Sequence, residues 1–136
     1  MDGYRFSTDV VVRFAETDAQ GIAHHAAYVV WLEVARVAYF AEHAGGYGRL
    51  QHQGMEALTT EVHVEYHRPA RFDERLRIWS RVVHLRGARF RCEYVLEYGG
   101  EIVATGHTSH ATVDGVTHRP TRLPKWFLEA VATAES

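Results

Sequence analysis

The stretch Arg13–Arg36 reads RFAETDAQGIAHHAAYVVWLEVAR, and it decides the fold. Its second half opens an apolar segment, Tyr28–His43, whose only polar residues are Glu33, Arg36, Glu42 and His43. The segment is too long for an ordinary strand and too short to span a bilayer. A helix that is apolar on nearly all sides must be enclosed by the protein. The sequence therefore predicts one long central helix over Tyr28–His43.

Ionisable residues precede this helix. Glu16 and Asp18 lie before a turn at Gln20-Gly21, and His24 and His25 follow it. No Ser, Thr, Asp or Asn stands directly before the helix to cap its first N–H groups. Either water or a loop carbonyl caps them, or they are free to bind an anion or a polarised carbonyl oxygen. A carboxylate facing such donors suits acyl chemistry, although by spacing alone Asp18 is better explained as a turn carboxylate.

Length and composition predict one soluble globular domain. The chain has 136 residues, of which 46% are hydrophobic and 24% charged, and it contains no repeat or linker, so one domain spans residues 1–136. A net charge of -2 argues against a nucleic-acid partner. The single cysteine, Cys92, cannot form an internal disulfide, and the first residues do not resemble a signal peptide. We therefore expect a cytoplasmic protein without a membrane span.

The rest of the chain indicates strands with a final helix. From Leu58 onwards, apolar and polar residues alternate, and the turns are marked by Arg86-Gly87, Gly99-Gly100 and Asp114-Gly115. The expected strands are 10–15, 58–67, 76–85, 89–98 and 101–113; residues 49–55 form a short helix or a turn, and a last helix starts at 123–124. This order predicts an α+β fold in which an antiparallel sheet of about five strands wraps around the central helix. A sheet with two open edges also favours self-association.

Two blocks of sequence resemble a known family. VRFAETDAQGIAHHAAYVVWLEVAR (Val12–Arg36) and VEYHRPARFDERL (Val64–Leu76) resemble motifs of the hotdog-fold acyl-CoA thioesterases in the 4-hydroxybenzoyl-CoA thioesterase and YbgC-like group. The similarity runs over roughly residues 10–124. It implies a hotdog fold, hydrolysis of acyl-CoA thioesters, and a homodimer or homotetramer with sites between subunits.

The resemblance also implies roles for individual residues. Asp18 takes the place of the family's catalytic aspartate and would act as a nucleophile or general base, while backbone N–H groups around His25 would hold the thioester oxygen. His25 itself is either a participant through its side chain or only a backbone donor. Glu16 is a third catalytic candidate, although a supporting carboxylate explains it more simply. Candidate substrate contacts are Gly21, His24, Ala26, Tyr28, Arg86 and Arg89, the two arginines being placed to bind coenzyme A phosphates. Glu33 and Arg36 are most simply an ion pair within the helix.

No cofactor is expected beyond the coenzyme A of the substrate. Among the ten histidines, His63 and His67 share a strand face but lie about 13 Å apart, too far to bind one metal ion. An acyl-carrier protein is the alternative acyl donor. A hotdog dehydratase that acts on hydroxyacyl thioesters and a non-catalytic acyl-binding protein are the alternative functions.

Overall fold

The computed structural model describes residues 1–136 and forms an α+β fold. Its elements are β1 Phe6–Val11, a 3₁₀ turn at Phe14–Glu16, α1 His25–His43, α2 Tyr47–His52, β2 Met55–Tyr66, β3 Arg75–Arg86, β4 Arg89–Tyr98, β5 Glu101–Asp114 and α3 Lys125–Glu135. The strands form one five-stranded antiparallel sheet in the order β1-β3-β4-β5-β2. The predicted fold class and the five-stranded antiparallel sheet are confirmed. No helix is long and apolar enough to cross a membrane.

The alternating pattern of β4 shows which face of the sheet carries the core. Phe90, Cys92 and Tyr94 are buried, whereas the residues between them are only partly covered. Helix α1 packs on this inner face, where Phe40 contacts Phe90 with ring centroids 5.7 Å apart. Helix α3 closes the same core, because the ring of its Phe127 lies 5.4 Å from that of Phe40.

Helix α1 begins earlier than its apolar segment. It starts at His25, three residues before the predicted first residue, Tyr28, because His24 acts as its N-cap. The Nδ1 atom of His24 accepts a hydrogen bond from the backbone N–H of Ala27 at 3.2 Å. The expectation that no side chain caps this helix was wrong, since an imidazole nitrogen can accept a hydrogen bond as a carboxylate or hydroxyl does.

The prediction that α1 is enclosed on all sides is wrong for the single chain. The helix is 19 residues long, and its buried face includes Trp31, Leu32 and Ala35. On the opposite face, an apolar stripe is between 42% and 48% exposed; its members are Val29, Val30, Val34 and Val37. The sheet of one chain therefore covers only one side of this helix.

Two further expectations differ from the structure. The first strand covers Phe6–Val11 rather than 10–15, because Glu16 accepts a hydrogen bond from the backbone N–H of Arg13 and closes a 3₁₀ turn there. Glu33 and Arg36 form no ion pair. Instead, Arg36 donates to the hydroxyl groups of Tyr47, at 2.9 Å, and Tyr94, at 3.5 Å.

Candidate active site

A short antiparallel turn holds the Glu16–Asp18 segment beside the start of α1. The backbone N–H of Asp18 donates to the carbonyl of Ile22 at 2.8 Å, and that of His24 donates to the carbonyl of Glu16 at 2.9 Å. Gly21 closes the turn with φ of 79°, a left-handed conformation that glycine adopts without strain. The motif thus brings Asp18 next to the helix N-terminus, although several residues separate them in sequence.

The Asp18 side chain is exposed on this turn. Its Oδ1 atom accepts a hydrogen bond from the backbone N–H of Gln20 at 2.8 Å. This is the turn-forming contact expected of an aspartate in such a segment. The Oδ2 atom makes no hydrogen bond within the chain, so half of the carboxylate is available to another group.

The first turn of α1 offers unused hydrogen-bond donors. The N–H group of Ala27 donates to the side chain of His24, but the N–H groups of His25 and Ala26 donate to no acceptor within the chain. Both residues are exposed. Free N–H groups at a helix N-terminus attract a negatively charged or polarised oxygen.

An aromatic cavity lies against this first turn. It has a volume of about 230 Å³ and is lined by Ile22, Ala23, His25, Tyr28, Tyr66, His67, Arg68 and Pro69. The His25 ring stacks on that of Tyr66 at 4.5 Å, and the edge of the Tyr28 ring meets Tyr66 at 4.8 Å. The structure therefore brings the candidates His25 and Tyr28 together in one cavity, while Ala26 lies in the same first turn of α1 and Asp18 lies on the turn that precedes it.

Glu16 faces the interior rather than this cavity. Its side chain is only 5% exposed and accepts hydrogen bonds from the indole N–H of Trp31 at 2.9 Å and from the Arg13 backbone N–H at 2.9 Å. Burial alone would raise the pKa of this carboxyl group, but the hydrogen bonds from Arg13 and Trp31 outweigh burial and lower the pKa. Glu16 thus ties the turn to the helix as a buried carboxylate.

The candidate phosphate-binding arginines lie in a separate cavity. Arg86 and Arg89 flank the β3–β4 hairpin and line a space of about 620 Å³ together with Thr60, His84, Leu85, Phe90, Arg91, Ser109 and His110. Thr60 of this cavity and Tyr66 of the aromatic cavity are about 20 Å apart along β2, at about 3.3 Å per residue. A single chain therefore does not bring the two arginines to the Asp18 turn.

Possible metal ligands and the single cysteine are the remaining groups with reactive side chains. No group of three or more His, Cys, Asp and Glu side chains is placed to hold a metal ion. Cys92 is buried, and burial raises the pKa of its thiol to about 12. A thiol in this state is not a nucleophile at neutral pH.

Sequence reasoning did not identify several residues of the site. Tyr66 and Arg68 line the aromatic cavity, and Trp31 anchors Glu16. The alternating pattern of β2 indicates which face of the sheet Tyr66 lies on, but not that the helix start lies beside it. The block Val64–Leu76 carries the only sequence signal for Tyr66 and Arg68.

Comparisons with known proteins identify the family. The model of the thioesterase-like superfamily matches residues 12–131. The chain is 30% identical to a 1,4-dihydroxy-2-naphthoyl-CoA hydrolase of Synechococcus elongatus, over 93% of this chain and 96% of that protein. It is 27% identical to the acyl-CoA thioester hydrolase YbgC of Escherichia coli O157:H7, over 88% and 90% of the two chains.

A solved structure agrees with this result. A thioesterase of Thermus thermophilus, complexed with coenzyme A and Zn, superposes with a TM-score of 0.85 at 26% identity, covering 99% of this chain and 97% of that one. The five-stranded antiparallel sheet, the sequence block Val12–Arg36 and the family match all indicate the same family. The chain belongs to the thioesterase-like superfamily, and within it to the enzymes known as hotdog-fold acyl-CoA thioesterases.

Proposed function

We propose that residues 1–136 form one thioesterase domain that hydrolyses acyl-CoA thioesters to the free acid and coenzyme A. The observation that carries this proposal is the pair of unused N–H groups at His25 and Ala26, together with the exposed carboxylate of Asp18 on the turn that leads into the helix. A carboxylate next to helix-end donors provides both an attacking group and a site for the thioester oxygen. The names of the relatives, which include two acyl-CoA hydrolases, support the same reaction.

Two chemical routes use this geometry. In the first, Asp18 Oδ2 attacks the thioester carbon, the thiolate of coenzyme A leaves, and water then hydrolyses the acyl-aspartate anhydride. In the second, Asp18 takes a proton from water as the water attacks the same carbon; the tetrahedral intermediate then breaks its C–S bond, and the departing thiolate of coenzyme A takes the proton from Asp18. In both routes, negative charge develops on the carbonyl oxygen, and the N–H groups of His25 and Ala26 stabilise it. Glu16 supports the turn in this proposal and does not touch the substrate.

The basic cavity at the β3–β4 hairpin is the proposed site for the phosphates of coenzyme A. Arg86 and Arg89 line it beside Arg91, so three arginines border one space. Guanidinium groups bind phosphates through paired, charge-assisted hydrogen bonds. Because this cavity is remote from the Asp18 turn within one chain, the substrate must bridge two subunits.

A homodimer formed through β2 resolves this separation. β2 is an edge strand of 12 residues with exposed Leu58, Val62 and Tyr66, and it lies beside the exposed valine stripe of α1. If two copies pair antiparallel over the full strand, Tyr66 faces Met55 of the partner subunit, since the last residue of one strand meets the first of the other. The dimer then extends the sheet, covers the valine stripe and places the Asp18 turn of one subunit near the other subunit's arginines.

A substrate panel tests the reaction. We expect purified protein to release free coenzyme A from at least one of a short, a long and an aromatic acyl-CoA, without dehydration of hydroxyacyl substrates. Dehydration would identify a dehydratase instead, and tight binding without turnover would identify an acyl-binding protein. The same acyl groups on an acyl-carrier protein determine which donor the enzyme prefers.

A further inference from the structure

Arg36 is a cation that has no carboxylate partner. Arg36 ends the block Val12–Arg36 that resembles the family, and it was expected to pair with Glu33. Instead, its Nε and Nη1 atoms donate only to the hydroxyls of Tyr47 and Tyr94. Burial raises the pKa of both tyrosines, so neither hydroxyl carries a compensating negative charge at neutral pH. A partly buried cation without an ion pair is unusual, because protein interiors normally pair such charges.

The guanidinium lines a cavity of about 340 Å³. This cavity lies between α1, α2 and the start of β2, and its lining includes Val37, Leu50 and Met55 together with Tyr47. A guanidinium has five N–H donors, and two hydroxyl groups cannot accept them all. The remaining donors are therefore available to an oxygen of a molecule bound in the cavity.

The charges around the cavity indicate what kind of acceptor fits. Glu33 and Glu56 also line it, and both are exposed. With two carboxylates near one guanidinium, a further anion would be repelled, whereas a neutral oxygen would not. A hydroxyl or keto oxygen on an otherwise apolar chain matches both the arginine and the apolar lining.

The proposed dimer places this cavity next to the reaction site. When Tyr66 faces Met55 of the partner subunit, the aromatic cavity at the helix start adjoins the partner's Arg36 cavity, since Met55 lines the latter. An acyl group whose thioester lies at His25 and Ala26 would then extend towards that arginine.

We propose that Arg36 binds an oxygen at the far end of the acyl group, so that the preferred substrates are acyl-CoA thioesters with a terminal hydroxyl or keto group. This inference rests on the proposed thioesterase function and on the dimer. It identifies Arg36 as a specificity residue that contacts the substrate away from the reacting carbon.

Matched substrates test the inference. The measured quantity is the ratio of kcat/KM for ω-hydroxyhexanoyl-CoA to that for hexanoyl-CoA, with butanoyl and octanoyl pairs to cover other chain lengths. We expect a ratio of at least about tenfold for the best pair, because a site built to hydrogen-bond a substrate oxygen discriminates against an analogue that lacks it. Arg36→Met should bring the ratio close to one, and Arg36→Lys should leave an intermediate ratio.

The control variant is Arg75→Met, which removes an exposed arginine, with a side chain 68% accessible, from β3. It should leave the ratio unchanged. Equal rates for every matched pair, or an unchanged ratio in Arg36→Met, would overturn the inference. A higher kcat/KM for adipoyl-CoA than for the hydroxy substrate would also overturn it, since that result requires an anion site.

A binding measurement tests the role of Arg36 independently of whether the protein hydrolyses the thioester. Calorimetry with the Asp18→Asn variant gives Kd values for ω-hydroxyhexanoyl-CoA and hexanoyl-CoA without turnover. We expect tighter binding of the hydroxy compound, again by at least about tenfold, and loss of this difference when Arg36→Met is added. Hydrolysis of hexanoyl-CoA without any hydroxy preference contradicts only the inference, whereas selective binding without hydrolysis of any acyl-CoA contradicts only the proposed function. Circular dichroism spectra establish that each Arg36 variant is folded.

Discussion

The carboxylates of Glu16 and Asp18 are two residues apart in the sequence, but they have different environments. Alternation along an extended chain would place Glu16 and Asp18 on the same side. Instead, the 3₁₀ turn at Phe14–Glu16 rotates Glu16 into the interior, while Asp18 stays exposed on the next turn. One carboxylate is therefore a buried support, and the other is free to meet a substrate.

The Asp18→Asn substitution tests whether Asp18 or His25 carries out catalysis at the proposed site. We expect kcat on the best substrate to fall by about 10²–10⁴-fold, the loss typical of removing a positioned acid–base group. His25→Ala should cost less, because the backbone N–H of residue 25 survives the truncation. If Asp18→Asn instead keeps more than about a tenth of wild-type kcat while His25→Ala loses about a thousandfold, catalysis belongs to the histidine.

Glu16→Gln should affect stability more than chemistry. The substitution removes the charge that strengthens hydrogen bonds from Arg13 and Trp31, and we expect a loss of about 1.5–3 kcal/mol in the free energy of unfolding at pH 7. Since the folded-state pKa of Glu16 lies below its usual value of 4.5, its contribution is present above about pH 4.5 and disappears as the pH falls through the lowered pKa.

Urea unfolding at pH 7 and at pH 3 measures this effect. The stability difference between wild type and Glu16→Gln should shrink at the lower pH. Glu129→Gln, which changes an exposed carboxylate on α3 paired with Lys125 at 3.8 Å, is the control and should have little effect at either pH. An equal loss at both pH values would contradict the assigned charge effect.

At the scale of elements, β5 and β2 approach each other closely beneath α1. Gly106 of β5 pairs with Val64 of β2, and a Cβ atom at this glycine would lie 2.5 Å from the carbonyl oxygen of His63. Because that neighbour is backbone, it cannot move without distorting the strand pair. A residue without a side chain is therefore needed where the edge strand joins the sheet.

Gly106→Ala should consequently destabilise the protein. We expect a decrease of about 1–3 kcal/mol in the free energy of unfolding, as for other overpacked positions. Gly48→Ala is the matched control: this glycine lies in α2, where an added Cβ meets nothing within 4 Å, and alanine there should raise stability by about 0.5–1 kcal/mol. Chemical denaturation of both variants measures the difference, and a neutral Gly106→Ala would show that β2 can shift.

At the scale of the whole molecule, one chain leaves its largest helix half covered. Tyr66, an exposed residue of β2, lines the aromatic cavity, and Val37 of the valine stripe lines a second cavity together with Met55 of the same strand. Exposed apolar surfaces of this kind mark interaction sites in soluble proteins. The unpaired edge of β2 adds backbone donors and acceptors that a second copy can satisfy.

Val34→Glu should break the proposed dimer. A charge in the middle of the valine stripe would be buried without a partner in the assembly, which is costly. Light scattering at micromolar concentration should show a dimer or larger assembly for wild type and a monomer for the variant, with activity lost because the two cavities separate. Val116→Glu, at a position that is 90% exposed, should leave assembly and activity unchanged. A monomeric wild type would contradict the intersubunit site.

The sequence by itself determined most of the strands and helices, and the family. The alternation of apolar and polar residues identified β4 with the observed bounds, 89–98. Arg86-Gly87 and Gly99-Gly100 located the hairpins. The sequence block around Asp18 indicated the family that the comparisons confirm. These features are local, because hydrophobic periodicity and turn chemistry depend on residues that are near one another in the chain.

Only the tertiary structure decided how the residues are used. It gave Glu16 a buried partner in Trp31, made His24 the cap of α1 and left Arg36 without the expected ion pair. It also left the valine stripe exposed and placed Arg86 and Arg89 far from Asp18. Each of these outcomes depends on contacts between distant parts of the chain, and local patterns do not encode which distant surfaces meet.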